Sequence, residues 1–593
     1  MAPYPLKWRF VMLKFWGGGQ RGIVLPIVLS FIAIFGLQIA GLFQYSAHTV
    51  RQIRTQEDYL KTFHTAEAVT ERAVAQIKFH IQQFGTVPTP AELAVMANVQ
   101  INTGSDYSYE DVSGNSTLAI ANSGGLTTKV LTDGDYAGLN GTVQTVNITV
   151  VGRDTQANHP AAVSLTQAIE IQLIPIFQFG VFYQEDLEIL PGPSMTFAGP
   201  VHSNASMYLG TNATLNFNSD LTAAGNIYHG RKDDPSAVMA GGVFIKDGGG
   251  TDQNMKNGDG TWLDSLHADW LLESQERWDG NVSSSFHGVS SLNLPLPTGS
   301  EPHALIERRD AGDSTQVQSQ KIDYKAHLRI IDGAVTNQAG SSVELRYCSG
   351  GSVYTGSCPG GETIVNPITS TTFYNFREAK TITSTDIDVA LLKSSPNFQS
   401  IASAANGVIV YVSDRRNQGS AVNQDAVRLK NGSSLPTQGL TVAAENPIYL
   451  KGDFNTVSKQ PAGVVGDSFN VLSNAWNDAK SAMSLSNRTA SNTTVNTTVI
   501  AGNTTTTPGN YNGGFENLPR FLEGWSGKTL TYSGSTIVLF NSQMATGGWI
   551  YGGNYYTAPN RAWSYDTALD DANYQIPGFP SVYNVAKTSF EHT

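Results

Sequence analysis

Two cysteines, Cys348 and Cys358, are the side chains whose spacing most directly suggests chemistry in this chain of 593 residues. Nine residues separate them, and the glycines among these allow the chain to reverse tightly enough for a disulfide. We predict this disulfide if the segment lies in an oxidising compartment, and two free thiols are the alternative. The spacing is not C-x-x-C, so no redox motif is indicated.

A second group of side chains offers oxygen ligands for a metal ion. The segment 251–264 carries five such residues among glycines: Asp252, Asn254, Asn257, Asp259 and Asp264. Calcium is the ion that such ligands suit, but the EF-hand pattern is not met, because Lys256 occupies the third ligand position and no glutamate stands at the twelfth. We therefore expect polar turns here and predict no metal site.

Acidic residues could also make a polysaccharide lyase or hydrolase, since glycoside hydrolysis uses paired carboxylates. The candidates are Asp414, Asp425 and Asp453, but nothing in the sequence places them in one cleft. The chain has no G-x-S-x-G, P-loop or H-E-x-x-H motif. We predict a protein that is not an enzyme, without catalytic residues and without a cofactor.

The composition limits the class of protein further. Hydrophobic residues make up 40% of the chain, too many for general disorder, whereas charged residues make up only 15%. The net charge of −12 argues against nucleic acid as a partner. Abundant glycine and other turn-forming residues favour many short strands over helical bundles.

The amino terminus carries a membrane signal. Residues 1–22 are basic, with Lys7, Arg9, Lys14 and Arg21, and residues 23–43 contain no charge. As a helix the second segment is about 31 Å long, enough to cross a bilayer. Basic residues before it predict a cytoplasmic amino terminus and a body outside the cytoplasm. An ordinary signal peptide is the alternative, although its apolar core is usually shorter.

The apolar segment continues into an amphipathic helix. Residues 44–84 lack proline and glycine, and their apolar positions recur mostly every three or four residues. Gly85 suits the residue after a helix, and Pro88 follows. We therefore predict a helix over 23–85 that is part membrane span and part packed against the body.

This order of leader, apolar helix and amphipathic continuation resembles type IV pilin-like proteins. More narrowly, QRGIVLPIVLSF followed by FHTAEAVTERAVAQI is similar to the start of PilX-type minor pilins, over about 65 of the 593 residues. The resemblance implies that a prepilin peptidase cleaves between Gly22 and Ile23 and that the new terminus is methylated. Major pilins have glutamate at the fifth mature position, where this chain has Ile27, which favours a minor or tip role.

The resemblance also implies a function and partners. It predicts a single-pass, cell-surface minor pilin or pseudopilin that acts without catalysis in filament assembly, secretion or surface contact. Its partners would be the membrane and other pilin-like subunits, bound through helix 23–85, with surface polysaccharide as a further candidate. A surface-anchored β-helix enzyme acting on carbohydrate and a simple anchored adhesin remain the alternatives.

The sequence pattern predicts mainly strands for the rest of the chain. Residues 86–180 predict a small α+β head, with alternating strands at 140–152 and 161–175. Residues 181–485 contain strands too short and too closely spaced for ordinary hairpins, which suggests an interrupted right-handed parallel β-helix. Insertions are expected at about 260–300 and 340–380. An irregular antiparallel sandwich is the alternative.

The carboxyl-terminal part changes in composition along its length. Residues 486–514 are rich in asparagine and threonine and predict a long surface loop. Residues 515–593 predict the final rungs and an aromatic cap over the end of the solenoid, with Trp549 and Trp563 among its members. An exposed aromatic stripe that stacks on sugars is the alternative.

Overall fold

The computed structural model describes residues 24–98, 102–103, 106–132, 135–155, 162–237 and 239–593. The expected long amino-terminal helix and mainly-β class are confirmed. The helices are α1 (Val24–Phe84) and α2 (Pro90–Ala97), followed by Trp270–Trp278, Thr315–Gln320, Ile322–Lys325, Val389–Ser394 and Pro396–Ala404. The remaining described elements are mostly short strands.

The carboxyl-terminal part of α1 packs on an antiparallel sheet, and together with α2 they form the head. The sheet contains β1 (Tyr107–Glu110), β2 (Ala119–Val130), β3 (Asn140–Asp154) and β4 (Ala162–Pro175). β3 pairs with β1, β2 and β4, so the two long strands predicted here are confirmed. Alternating residues of β3 and β4 are buried, because one face of the sheet covers the helix.

Small residues let α1 approach the sheet closely. Ala66 and Ala73 are fully buried on the helix face that meets the sheet. At Gly152 of β3, a Cβ atom would lie 2.8 Å from the Thr62 carbonyl oxygen and 3.2 Å from the Ala66 Cβ. The backbone of β3 and the helix can therefore touch only because position 152 has no side chain.

We expect Gly152→Val to lower the free energy of unfolding of the head by about 1–3 kcal/mol, because the added side chain forces α1 away from β3. The measurement is thermal unfolding of the purified protein. The matched control is Gly125→Val on β2, where no atom lies within 4 Å of the added Cβ. Equal effects of the two substitutions would show that the close helix–sheet approach does not limit stability.

Parallel strands form most of the body, in two stacks that share one 11-stranded sheet. In spatial order, the shared sheet contains Val282–Ser283, Leu221–Ala223, Val201–Ser203, Val181–Tyr183, Thr536–Val538, Thr498–Ala501, Ala462–Gly466, Leu440–Ala444, Val408–Ser413, Leu328–Ile331 and Ala334–Asn337. The pairings along it are parallel, except for the last two strands, which form a hairpin. We call residues 181–283 the first stack and residues 328–564 the second stack.

Each stack has two further sheets beside the shared one. In the first stack these are Leu187–Ile189, Met207–Leu209 and Ile227–His229, and then Met195–Phe197, Thr214–Phe217, Gly242–Lys246 and Asp252–Asn254. In the second stack they are Ile368–Asn375, Lys380–Asp388, Asn423–Lys430, Ile448–Lys451, Phe469–Leu472 and Arg520–Phe521, and then Thr493–Asn496, Thr529–Ser533 and Asn560–Ser564.

Strands in the first stack recur every 20 residues. Val201 pairs in register with both Val181 and Leu221, and Met207 pairs with both Leu187 and Ile227. Each inward apolar side chain of these strands therefore meets its counterpart 20 residues earlier or later, whereas Gly242–Lys246 and Val282–Ser283 pair at separations of 28 and 61 residues. The short strands of this region are thus parallel, as the close spacing of the turns suggested.

The order of strands in the shared sheet differs from their order in the chain. Val181–Tyr183 begins the first stack, yet it lies between Val201–Ser203 and Thr536–Val538, near the carboxyl terminus. The expected β-helix, in which successive strands are neighbours throughout, is corrected in this respect. The chain first adds strands from Val181–Tyr183 outward to Val282–Ser283. It then crosses to Leu328–Ile331 near the other end of the shared sheet and adds strands back to Thr536–Val538. We call the contact between Val181–Tyr183 and Thr536–Val538 the seam.

The expected surface loop at 486–514 is wrong over part of its length. Thr493–Asn496 and Thr498–Ala501 are strands of the second stack. Val495, Val499 and Ile500 are buried. The many threonines and asparagines of the segment lie between these residues and in the flanking turns. Threonine is β-branched and fits a strand well, so composition alone was misleading here.

The carboxyl-terminal prediction also needs correction. Ser581–His592 is a long strand that pairs antiparallel with β4, so the chain ends in the head. The aromatic segment before it does not cover the end of the solenoid. Trp563 contacts Phe515, which in turn contacts Phe197 of the first stack. These rings lie where the two stacks meet, because the last and first strands are neighbours.

The expected insertions contribute contacts of their own. In the first, helix Trp270–Trp278 buries both of its tryptophans, and Thr298 donates a hydrogen bond to the Gln82 carbonyl near the end of α1. In the second, Cys348 and Cys358 form a disulfide. Tyr347–Cys348 pairs there with Ile364–Val365 in a small hairpin.

Candidate functional site

The amino-terminal part of α1 is not covered by any other described part of the chain. Burial on the helix begins at Thr62, and every residue from Val24 to Lys61 is at least partly exposed. Its exposed large apolar side chains up to residue 43 are Val24, Leu25, Ile27, Val28, Leu29, Phe31, Ile32, Ile34, Phe35, Leu37, Ile39, Leu42 and Phe43. Leaving so large an apolar surface in water is unfavourable, which points to a membrane or protein partner.

This segment has the dimensions of a membrane span. Among the described residues, α1 is the one helix long and apolar enough to cross a bilayer, and none of its most apolar window is buried. Val24–Phe43 is about 30 Å long. Ion pairs appear further along, where Lys61 contacts Glu57 at 2.6 Å. The apolar and packed parts are thus distinct portions of one continuous helix.

The predicted processing residues, Gly22 and Ile23, lie outside the described residues, so the cleavage site is not located. Ile27 lies in the first turns of α1 and is 49% exposed. The described helix starts one residue after the predicted new terminus.

Two of the three acidic residues nominated from the sequence come together. Asp414 and Asp425 line a cavity of about 350 Å³ with polar neighbours that include Asn417, Gln424 and Asn446. Asp453 is not part of it, and instead accepts a hydrogen bond from the Thr494 backbone N–H. Asp414 directly follows strand Val408–Ser413 and Asp425 lies in the next strand along the chain, Asn423–Lys430, so the turn between these strands brings the two carboxylates together.

Both carboxylates in this cavity hold the loop that surrounds them. Asp414 forms a two-point ion pair with Arg416 and accepts a hydrogen bond from the Thr385 hydroxyl at 3.1 Å. Asp425 accepts hydrogen bonds from the Asn417 backbone N–H at 2.6 Å and its side-chain amide at 2.7 Å. Burial raises the pKa of Asp425, and the Asn417 hydrogen bonds partly oppose this effect. The arrangement suits loop positioning and polar contact.

A buried carboxylate fixes another wall of the cavity. Asp467 accepts hydrogen bonds from the backbone N–H groups of Gln543, Met544 and Ala545, at 2.6, 3.0 and 2.7 Å. Gln543 and Met544 line the cavity. The Nε2 atom of His303 lies 3.4 Å from the same carboxylate. Sequence reasoning missed both Asp467 and His303, because no local pattern relates residues so far apart.

His303 should make stability depend on pH. Burial opposes protonation of its ring, but Asp467 and Glu307 outweigh burial and raise its pKa to about 9. A raised pKa stabilises the folded state fully below pH 6.5, and this contribution of about 3 kcal/mol is lost as pH rises towards 9. Urea unfolding between pH 6 and 9.5 should therefore show a wild-type advantage over His303→Gln that shrinks with pH. A constant difference would contradict this assignment.

The oxygen-bearing side chains at 252–264 do not converge on one point. Asp252 pairs with Lys246, Asp259 closes a turn on Thr261, and Asn257 accepts a hydrogen bond from Arg277. Asp264 caps the backbone at His229 and Leu266. These contacts are those of polar turns. A separate, partly exposed group, His267, Asp269 and Glu273, has ligand atoms within 4.8 Å of one another.

Comparisons with known proteins give little further information. No protein-family model and no curated protein matches this chain. Among solved structures, the competence-associated pilin ComZ from Thermus thermophilus aligns over 90% of this chain and 97% of its own, at 12% identity. The TM-score of 0.25 is too low to indicate a shared fold, so nothing is transferred from ComZ.

Proposed function

We propose that this protein is a membrane-anchored minor pilin or pseudopilin of the PilX type. The observation that carries the proposal is the continuous helix α1, whose first part is apolar and exposed while its second part packs on the head. In this arrangement the apolar part inserts in the membrane or among the helices of neighbouring subunits. The amino terminus faces the cytoplasm, as the basic residues before the helix predict.

The body then acts outside the cytoplasm, in filament assembly, secretion or surface contact. We interpret its two stacks as a right-handed parallel β-helix whose long sides offer surface to other pilin-like subunits or to polysaccharide. The proposed action is non-catalytic, because Asp414 and Asp425 are occupied by ion pairs and hydrogen bonds within their own loop. An oxidised Cys348–Cys358 pair fits a location outside the cytoplasm.

Processing of the amino terminus tests this proposal. If a prepilin peptidase recognises the leader, mass spectrometry of protein from native membranes should find a terminal peptide that begins at methylated Ile23. The same preparation from cells that lack the peptidase should retain the leader and provides the control. An intact Met1 terminus in wild-type membranes would contradict the pilin assignment and leave a simple anchor.

A further inference from the structure

A small cavity at the seam brings together oxygen atoms from the first stack and the second stack. It measures about 60 Å³ and is lined on one side by Tyr183, Glu185, Asp186 and Glu188 of the first stack. Residues 503–506 and Asn541 line the opposite side. We call it the seam cavity. It has room for an ion with one or two water molecules.

Negative charge predominates in the seam cavity. Three carboxylates line it, and Lys232 is the cation among its lining residues. Lys232 pairs with Asp186 at 2.8 Å. Within the described part of the chain, Glu185 and Glu188 have no ion pair. Glu188 is therefore a buried carboxylate that Lys232 influences only from a distance, whereas Glu185 is exposed to solvent.

Unpartnered buried atoms provide a second, independent observation. Glu188 is only 3% exposed and Tyr183 only 1% exposed. The Thr506 hydroxyl interacts with the Glu188 carboxyl, but among the described residues nothing hydrogen-bonds the Glu188 Oε2 or the Tyr183 hydroxyl oxygen. Burial raises the pKa of Glu188 to about 6, so the group is still mainly ionised at neutral pH. A buried carboxylate oxygen without a partner is costly, and a bound cation would remove that cost.

We propose that the seam cavity binds a divalent cation, with calcium as the best fit. Carboxylates, amide oxygens, hydroxyls and water are the ligands that calcium collects, in flexible sets of six to eight. Histidine and cysteine are absent from the described lining, which disfavours zinc and copper. Glu188 and Glu185 would supply the charge, and the 503–506 segment would supply neutral oxygens. The ion would thus tie the first stack to the second stack across the seam.

Terbium luminescence tests this site directly on the full-length protein in detergent. Tb³⁺ replaces calcium at oxygen-rich sites and emits when a nearby tyrosine such as Tyr183 absorbs light. We expect sensitised emission that calcium displaces, with calcium affinity about 10-fold or more weaker in Glu188→Gln. Without metal, Glu188→Gln should be at least as stable as wild type, because the amide removes a buried, unpaired charge.

The matched control is Glu273→Gln, which alters the partly exposed His267, Asp269 and Glu273 group instead. This variant should keep wild-type calcium affinity and keep the calcium-dependent rise in Tm, whereas Glu188→Gln should lose that rise. The proposal is overturned if wild type gives no calcium-displaceable emission. It is also overturned if Glu188→Gln binds calcium like wild type, or if Glu273→Gln is the variant that loses binding.

Discussion

Phe217→Asp is expected to destabilise the first stack by at least about 4 kcal/mol. Phe217 is 1% exposed, and its ring stacks on Phe197 with centroids 5.2 Å apart. On the other side its strand pairs in register with Gly242–Lys246, where Ile245 is its neighbour. The substitution both empties this position and buries an unpaired carboxylate, so the cost should spread to the adjacent strands.

Urea unfolding and hydrogen exchange measure this effect. Loss of amide protection at Met195–Phe197 and Gly242–Lys246 should accompany the loss of stability. The matched control is Asn218→Asp, which places the same charge one residue later on an exposed side chain. We expect the control to change stability by no more than about 0.5 kcal/mol. A small effect of Phe217→Asp would show that the stacked apolar column does not support this region.

Combined Ile34→Asp and Leu37→Asp substitutions are expected to abolish membrane anchoring. These side chains are 51% and 74% exposed in the apolar part of α1. Each aspartate near the centre of a membrane helix costs about 3 kcal/mol, and each lost apolar residue removes a further few tenths. The sum, about 6–7 kcal/mol, is comparable with everything that the other apolar residues contribute to insertion.

Carbonate extraction of membranes provides the measurement, since integral proteins stay in the pellet. The control combines Ile53→Asp with Leu60→Asp, at exposed positions of the same helix beyond the apolar segment. The control protein should remain in the pellet, whereas the first variant should appear in the supernatant or fail to accumulate. If both variants behave like wild type, α1 does not hold the protein in the membrane.

Local patterns in the sequence were sufficient for several elements. The apolar run after the basic leader, the helical spacing up to Phe84 and the alternation along β3 and β4 each depend on residues close together in the chain. The same is true of the short strands at 187–230, where turn residues recur after every few apolar ones. Backbone preference and the burial of one face decide such elements almost alone.

Composition was a poorer guide where polar residues lie in strands. Thr493–Asn496 and Thr498–Ala501 were expected in a loop because threonine and asparagine dominate the segment. In Thr493–Asn496 alternate residues are buried, and in Thr498–Ala501 all four residues are buried, so threonine occupies interior strand positions here. The β-branched residues of the segment were the signal for strands, and its overall polar composition concealed it.

The sequence by itself determined the apolar segment, the extended helix and the mainly-β character of this protein. Only the tertiary structure decided that Val181–Tyr183 pairs with Thr536–Val538, that Ser581–His592 returns to the head and that Asp414 lies beside Asp425. These contacts join residues that are distant in the chain or separated by a turn. Which strands pair depends on which strand edges are still free as the chain folds, and the spacing of apolar residues in the sequence does not indicate this.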